Sequence, residues 1–192
     1  ARRFAEALRE RASAGVRVRV LIDAVGGLNI EAGLVEAMER AGVDVRWFRQ
    51  PWLKSPFKQN HRCHRKVCIV DEHIGFTGGV GIAEEWRGDA RNPGEWRDTH
   101  IRVEGPAVDG LAAAFAQNWA EAGDTLYDER DRFPEQPQPG SAVVQVVRGS
   151  ATIGWDDIQT VWYVLMRSAR RRIQLQTAYF SPDSTLIDAL CA

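Results

Sequence analysis

His64, Lys66 and Asp71 stand in the stretch Asn60-His61-Arg62-Cys63-His64-Arg65-Lys66-Val67-Cys68-Ile69-Val70-Asp71 with the spacing H-x-K-x4-D. An imidazole can attack phosphorus at neutral pH without a metal, and a lysine beside it can neutralise phosphate oxygens as charge spreads over them. The set therefore suits phosphodiester transfer with His64 as nucleophile and Lys66 as a point charge for the phosphate. Asp71 closes the apolar run, where an acid either joins the chemistry or fixes a turn through local hydrogen bonds. A metal site drawn from His61, Cys63, His64 and Cys68 is disfavoured. On a strand His64 and Cys68 face one way and Cys63 the other, whereas zinc needs four converging ligands.

For His64 and Lys66 to act together they must leave one face of a strand, and Lys66 to Val70 is a short run of β-formers that places them so. Upstream, Phe4 to Ala14 reads as an amphipathic helix with Phe4, Ala7, Leu8 and Ala12 on one face, ended by Gly15. Val16, Val18, Val20 and Ile22 alternate with Arg17, Arg19 and Leu21 in a strand that ends at Asp23. A helix from about Ile30 to Ala41 leads through Gly42 to a strand from Val43 to Phe48. Helices alternating with apolar strands predict an α/β layer with a mostly parallel sheet. Trp47 to Gln59, rich in proline and aromatic residues, is a loop that faces substrate or packs on the surface.

Beyond the motif, Ile74 to Thr77 is the second strand of a hairpin, and Gly88 to Gly94 is a polar insert. Thr99 to Val103 alternates like a strand, and Pro106 starts a helix to about Ala122 with Leu111, Phe115 and Trp119 as its core stripe. From Gly123 to Gly140 the chain is polar and ends proline-rich, as a linker does. Ser141 to Val147 then reads as a strand, Asp156 to Ser168 as a helix, Arg172 to Ala178 as a strand and Pro182 onward as a helix start.

The 192 residues suffice for a sizeable core, and their composition excludes fibrous and disordered classes. A formal net charge of -1 with histidine neutral argues against a protein that coats nucleic acid. A local basic pocket from Arg62, Arg65 and Lys66, with Lys54 and Lys58 nearby, remains compatible with that charge. Three cysteines, Cys63, Cys68 and Cys191, form an odd set without disulfide spacing, which favours a reducing, cytoplasmic compartment; Cys68 is expected to pack in its apolar strand. No run reaches transmembrane length, so membrane contact is expected to be peripheral or to belong to sequence outside this chain.

Two further stretches follow the motif in fixed order. Gly75-Phe76-Thr77-Gly78-Gly79-Val80-Gly81-Ile82-Ala83-Glu84-Glu85-Trp86 supplies a glycine turn leading into a short helix, and Glu95-Trp96-Arg97-Asp98-Thr99-His100-Ile101-Arg102-Val103-Glu104-Gly105-Pro106-Ala107-Val108 comes next. This succession resembles the phospholipase D superfamily, most closely its cardiolipin synthase-like branch, and the likeness covers nearly the whole chain. Many members carry Asn where this chain has Gly81, so one polar contact near the phosphate is missing here. Backbone N–H groups of Gly78, Gly79 and Gly81 are still expected to face a phosphate oxygen.

The resemblance implies an α-β-α layered domain with a mixed, largely parallel sheet, followed by the beginning of a second similar half. The expected division is residues 1–125 for the first half without its first strand, 126–140 for the linker and 141–192 for the start of the second half. On that reading Leu186 to Ala192 repeats the helix of Phe4 to Glu10, and the Tyr179-Phe180-Ser181-Pro182-Asp183 run opens the second half beside a shared cleft. The resemblance also implies a phosphohistidine intermediate, no cofactor and no metal, with Asp98 orienting the His64 ring. The implied substrate is a phospholipid similar to phosphatidylglycerol, met at the inner face of the membrane. His61, His73 and His100 lie in no second H-x-K-x4-D pattern. The second motif is expected from the continuation of the polypeptide or from a second copy in a homodimer. Two alternatives remain, a single-motif dimeric phosphodiesterase or nuclease, and a catalytically inert module that binds phosphate or lipid head groups.

Overall fold

A computed structural model describes residues 1–49, 62–123, 133–149, 155–177 and 180–191. Two compact units divide the chain between Val146 and Val147. In the first unit α1 (Arg2–Ser13), β1 (Arg19–Asp23), α2 (Ala32–Arg40) and β2 (Asp44–Phe48) are followed by β3 (Val67–Val70), β4 (Ile74–Gly78), β5 (His100–Glu104) and α3 (Ala107–Ala122). A short 3-10 turn at Glu84–Arg87 separates β4 from β5.

The alternation in β1 and β2 sorts their side chains to two faces. Val20, Ile22, Val45 and Trp47 pack against a core of Ala5, Val35, Met38 and Val43 supplied by α1, α2 and the start of β2. On the other face Arg46 lies over the Trp119 ring of α3, 4.1 Å from its centroid, with Arg19 at 5.9 Å. Helices therefore cover both faces of the parallel pair, which is the α-β-α layering that the resemblance implies. Both α1 and α2 end in the same six-to-one closure: Val16 N–H donates to Arg11 O, and Val43 N–H to Met38 O. Gly15 and Gly42 supply the left-handed residue at φ +87° and +91° that this closure needs.

β1 and β2 pair in parallel, whereas β3, β4 and β5 form an antiparallel sheet in that order. The strand pairing is thus mixed, with one parallel and two antiparallel ladders among the described residues. The α3 stripe is as the spacing predicts: Leu111 and Trp119 are buried, and Phe115 stacks on Trp119. At Gly75 of β4 an added Cβ would lie 2.6 Å from Leu111 Cδ1, so the glycine lets α3 approach the sheet closely. Cys68 departs from expectation. It lies on the exposed side of β3 rather than in the packed face.

Gln136, in the stretch expected to be a linker, is hydrogen-bonded within the first unit. Gln136 donates to the Glu72 carbonyl at 2.6 Å and to Asp109 Oδ1 at 3.2 Å, while its Oε1 lies 3.1 Å from His73 Nδ1. It ties the β3–β4 turn to the first turn of α3. The strands expected at 141–147 and 172–178 are corrected: residues 141–147 and 172–177 carry no strand. Their alternating apolar pattern selects a face, but a strand also needs a hydrogen-bonded neighbour, and no described strand pairs with either segment. The second unit instead holds α4 (Trp155–Ser168) and α5 (Ser184–Cys191), with Asp183 Oδ1 accepting the Leu186 N–H at the start of α5. No described helix is long and apolar enough to cross a membrane.

Candidate active site

Residues 62–66 enter β3 with their side chains sorted to two sides. Arg65 donates to the Ala114 carbonyl at 2.9 Å, to Asn118 Oδ1 at 3.0 Å and to Gln117 Oε1 at 3.2 Å, all on α3. Cys63 points the same way, its sulfur accepting from Asn118 Nδ2 at 3.0 Å. His64 and Lys66 take the opposite side. Lys66 Nζ lies 3.1 Å from His64 Nε2 and donates to the His64 carbonyl at 3.3 Å. An ammonium has only donors, so Nε2 is the acceptor and carries the lone pair. His64 is exposed, and Thr77 Oγ1 holds the backbone next to it by donating to the Lys66 carbonyl at 3.0 Å.

Of the basic pocket expected from the sequence, Arg62 and Arg65 are engaged within the fold. Arg62 pairs with Asp23 at 3.8 Å and donates to the Arg49 carbonyl, and Arg65 is held on α3, so both guanidiniums serve as fasteners. Among the described residues, Lys66 is the cation beside the ring. Lys54, Lys58, His61 and most of the Trp47 to Gln59 loop lie outside the described residues, as does Tyr179. Asp71 sits in the β3–β4 turn, exposed, with φ +51°, and Glu72 follows at φ +57°. Two consecutive left-handed residues mark a type I′ turn, closed by His73 N–H on the Val70 carbonyl at 3.1 Å.

β-ladder register brings the glycine turn to the same sheet end as Lys66. Val67 pairs with Thr77 and Gly78 with His100. Gly79 N–H donates to the Thr99 carbonyl at 3.0 Å, so this amide is engaged with β5 rather than turned outward. The Asp98 carboxylate covers the space a Gly79 side chain would fill, and its Oδ1 accepts the Thr99 N–H at 2.6 Å. Asp98 forms no hydrogen bond to the His64 ring. Gly81 is glycine for a steric reason, since an added Cβ would lie 2.8 Å from Trp86 Nε1. Trp86 in turn meets Trp96 edge-on with centroids 5.2 Å apart, and Trp96 N–H donates to the Glu85 carbonyl. Glu95 staples the insert by accepting from Asp89 N–H, Arg91 N–H and Asn92 Nδ2, and these bonds hold its carboxyl below the usual glutamate range.

Two residues that sequence reading passed over anchor the motif. Asp23 Oδ2 accepts the Cys63 N–H at 2.9 Å, and buried Asn118 grips both Cys63 and Arg65 from α3. Asp23 carried one visible signal, an acid at the carboxyl end of an apolar strand. Asn118 carried a fainter one, a polar residue next to the Trp119 stripe.

Residues 1–86 match a family model described as cardiolipin synthase, PLD-like domain. The chain is 34% identical over 189 residues to a cardiolipin synthase of Oceanobacillus iheyensis, covering 98% of this chain and 39% of that protein. It is 33% identical over 192 residues to the major cardiolipin synthase ClsA of Bacillus subtilis, covering 98% and 40%. A similar match, 32% over 195 residues, joins it to cardiolipin synthase 1 of Staphylococcus aureus. The α-β-α layering agrees with a phospholipase D-like domain. The chain belongs to the phospholipase D superfamily, in its cardiolipin synthase-like branch. It spans about two fifths of the length of the curated relatives it matches.

Proposed function

We propose that the protein is a phosphatidyltransferase in which His64 carries the phosphatidyl group. The observation that carries the reading is the 3.1 Å approach of Lys66 Nζ to His64 Nε2 on an exposed side of the motif. The Nε2 lone pair attacks phosphorus, a P–N bond forms, and the P–O bond to the departing alcohol breaks. Lys66 moves from the ring to the non-bridging oxygens as their charge grows. A second motif histidine, from elsewhere in the polypeptide or from a second copy, gives its proton to the leaving oxygen. It then takes a proton from the incoming alcohol, whose oxygen attacks phosphorus as the P–N bond breaks. The cycle balances without cofactor or metal. Asp98 and the turn Gly78, Gly79 and Gly81 belong to this reading as supports of the sheet end beside Lys66, and Asp71 as a residue of the hairpin turn at the other end of β3.

The names of the relatives support a phospholipid as donor and acceptor, with a second phosphatidylglycerol-like lipid as the alcohol. Such substrates place the reaction at a membrane surface, on the cytoplasmic side if the cysteines stay reduced. The test is the full-length protein in mixed micelles of labelled phosphatidylglycerol, with cardiolipin and glycerol as products. Cardiolipin formation that disappears in His64→Ala is expected. Cleavage of labelled DNA without lipid transfer, or lipid transfer unaffected by His64→Ala, would overturn the proposal.

A further inference from the structure

We infer that Asp23 is a positioning residue for His64, an inference that rests on the proposed role of that histidine. The Asp23 carboxylate closes a turn, bonds the backbone before His64 and pairs with Arg62 at 3.8 Å. Oδ1 accepts the N–H groups of Val25 and Gly26 at 2.9 Å and 3.0 Å, closing the turn that follows β1. Oδ2 reaches across to the Cys63 N–H at 2.9 Å, bonding the backbone immediately before the nucleophile. A turn-forming aspartate needs only the first oxygen. The second is a tertiary bond between the end of the parallel pair and the entry to β3.

Its leverage on His64 follows from the surroundings. The Asp23 side chain is 12% exposed, so its bond to Cys63 is shielded from competing water. His64 is exposed and its ring bonds to Lys66, which sits on the same short segment. The ring therefore inherits its place from the backbone. Asn118 holds the Cys63 sulfur from the α3 side, so residue 63 is gripped from two directions. Losing one grip lets the segment and its imidazole shift. Displacement of a reacting group by about 1 Å reduces turnover on the order of a hundredfold.

Asp23→Asn keeps the turn and removes the bond to Cys63 together with the 3.8 Å ion pair to Arg62, both of which hold the segment before His64. The amide oxygen keeps two bonds by facing Val25 and Gly26, which turns its NH2 toward the Cys63 N–H, donor against donor. In the full-length protein, with rates normalised to protein showing native near-UV circular dichroism, kcat is expected to fall about tenfold to a hundredfold while KM stays within about twofold. Exchange of the Cys63 amide hydrogen rises in parallel. Asp23→Ser is the second variant, since its hydroxyl can serve the turn but is too short to reach Cys63, and the same loss of kcat is expected. Unchanged kcat in a folded variant whose Cys63 amide exchanges faster would overturn the inference. His64→Ala separates the two ideas. If it retains turnover, the nucleophile reading fails. If it is inactive while both Asp23 variants work at the wild-type rate, only the positioning role fails.

Discussion

Lys66 Nζ stands 3.1 Å from His64 Nε2 and 3.3 Å from the His64 carbonyl oxygen, so one ammonium holds both the ring and the backbone of the same residue. Replacing it removes a restraint on the nucleophile and a charge for the phosphate together. Lys66→Met is expected to lower kcat by about 10²- to 10³-fold, the scale for losing one charge-stabilising donor. Lys66→Arg should recover only part of that loss, because a planar fork does not reproduce a point charge at the ring nitrogen. Steady-state transfer kinetics with both variants check this, and full recovery by arginine would contradict it.

Gly79 and Asp98 share one small volume, with the carboxylate lying where a side chain at residue 79 would go. Gly79→Ala must push Asp98 away, so it is expected to reproduce the defect of Asp98→Ala. A double-mutant cycle reads the coupling: the double variant should be no slower than the worse single one, within about twofold. Multiplicative losses would mean that the two positions act separately.

Glu95 gives the insert before Asp98 a pH dependence with a definite sign. Its carboxyl is held below the ordinary glutamate range by the backbone N–H groups of Asp89 and Arg91. A lowered folded-state value means that its contribution is complete above the unfolded glutamate pKa and is lost as pH falls through the folded one. Acid titration of tryptophan fluorescence, with Trp86 and Trp96 as reporters, should show opening of the insert at a midpoint below that of a free glutamate. Glu95→Gln should abolish that step.

Gln136 bridges the Glu72 carbonyl, Asp109 and His73. Gln136→Ala is expected to destabilise the first unit by about 1–2 kcal/mol, the range for losing partly buried hydrogen bonds, with kcat unchanged. Urea unfolding measures the first quantity and transfer kinetics the second. Loss of activity without loss of stability would give this segment a role beyond docking.

The alternation of helices and strands was legible because the strands of the parallel pair announce their faces, while the α-β-α layering came from the resemblance. Val20 and Ile22 turn to α1 and α2, whereas Arg19 turns to Trp119. His64 and Lys66 were legible for the same reason, a spacing of two. Asp23 was not, because its partner Cys63 lies forty residues downstream and is bonded through a main-chain N–H that no side-chain pattern encodes. Arg62 and Arg65 read as part of a local basic pocket by charge alone, and three-dimensional partners on β1 and α3 turn them into fasteners. Gly81 is similar: the missing polar side chain is a matter of room, since the Trp86 indole already fills that place. Segments 141–147 and 172–177 show the limit of periodicity, which names a face but supplies no neighbouring strand.

Covalent capture on residue 64 is the most direct measurement. The full-length protein, quenched in alkali during turnover of phosphatidylglycerol and digested, should yield one acid-labile phosphorylated peptide, with the group on His64 by mass spectrometry and absent from His64→Ala. An active preparation in which no phosphohistidine accumulates at any quench time, or in which it forms equally in His64→Ala, would contradict a nucleophilic role for this imidazole.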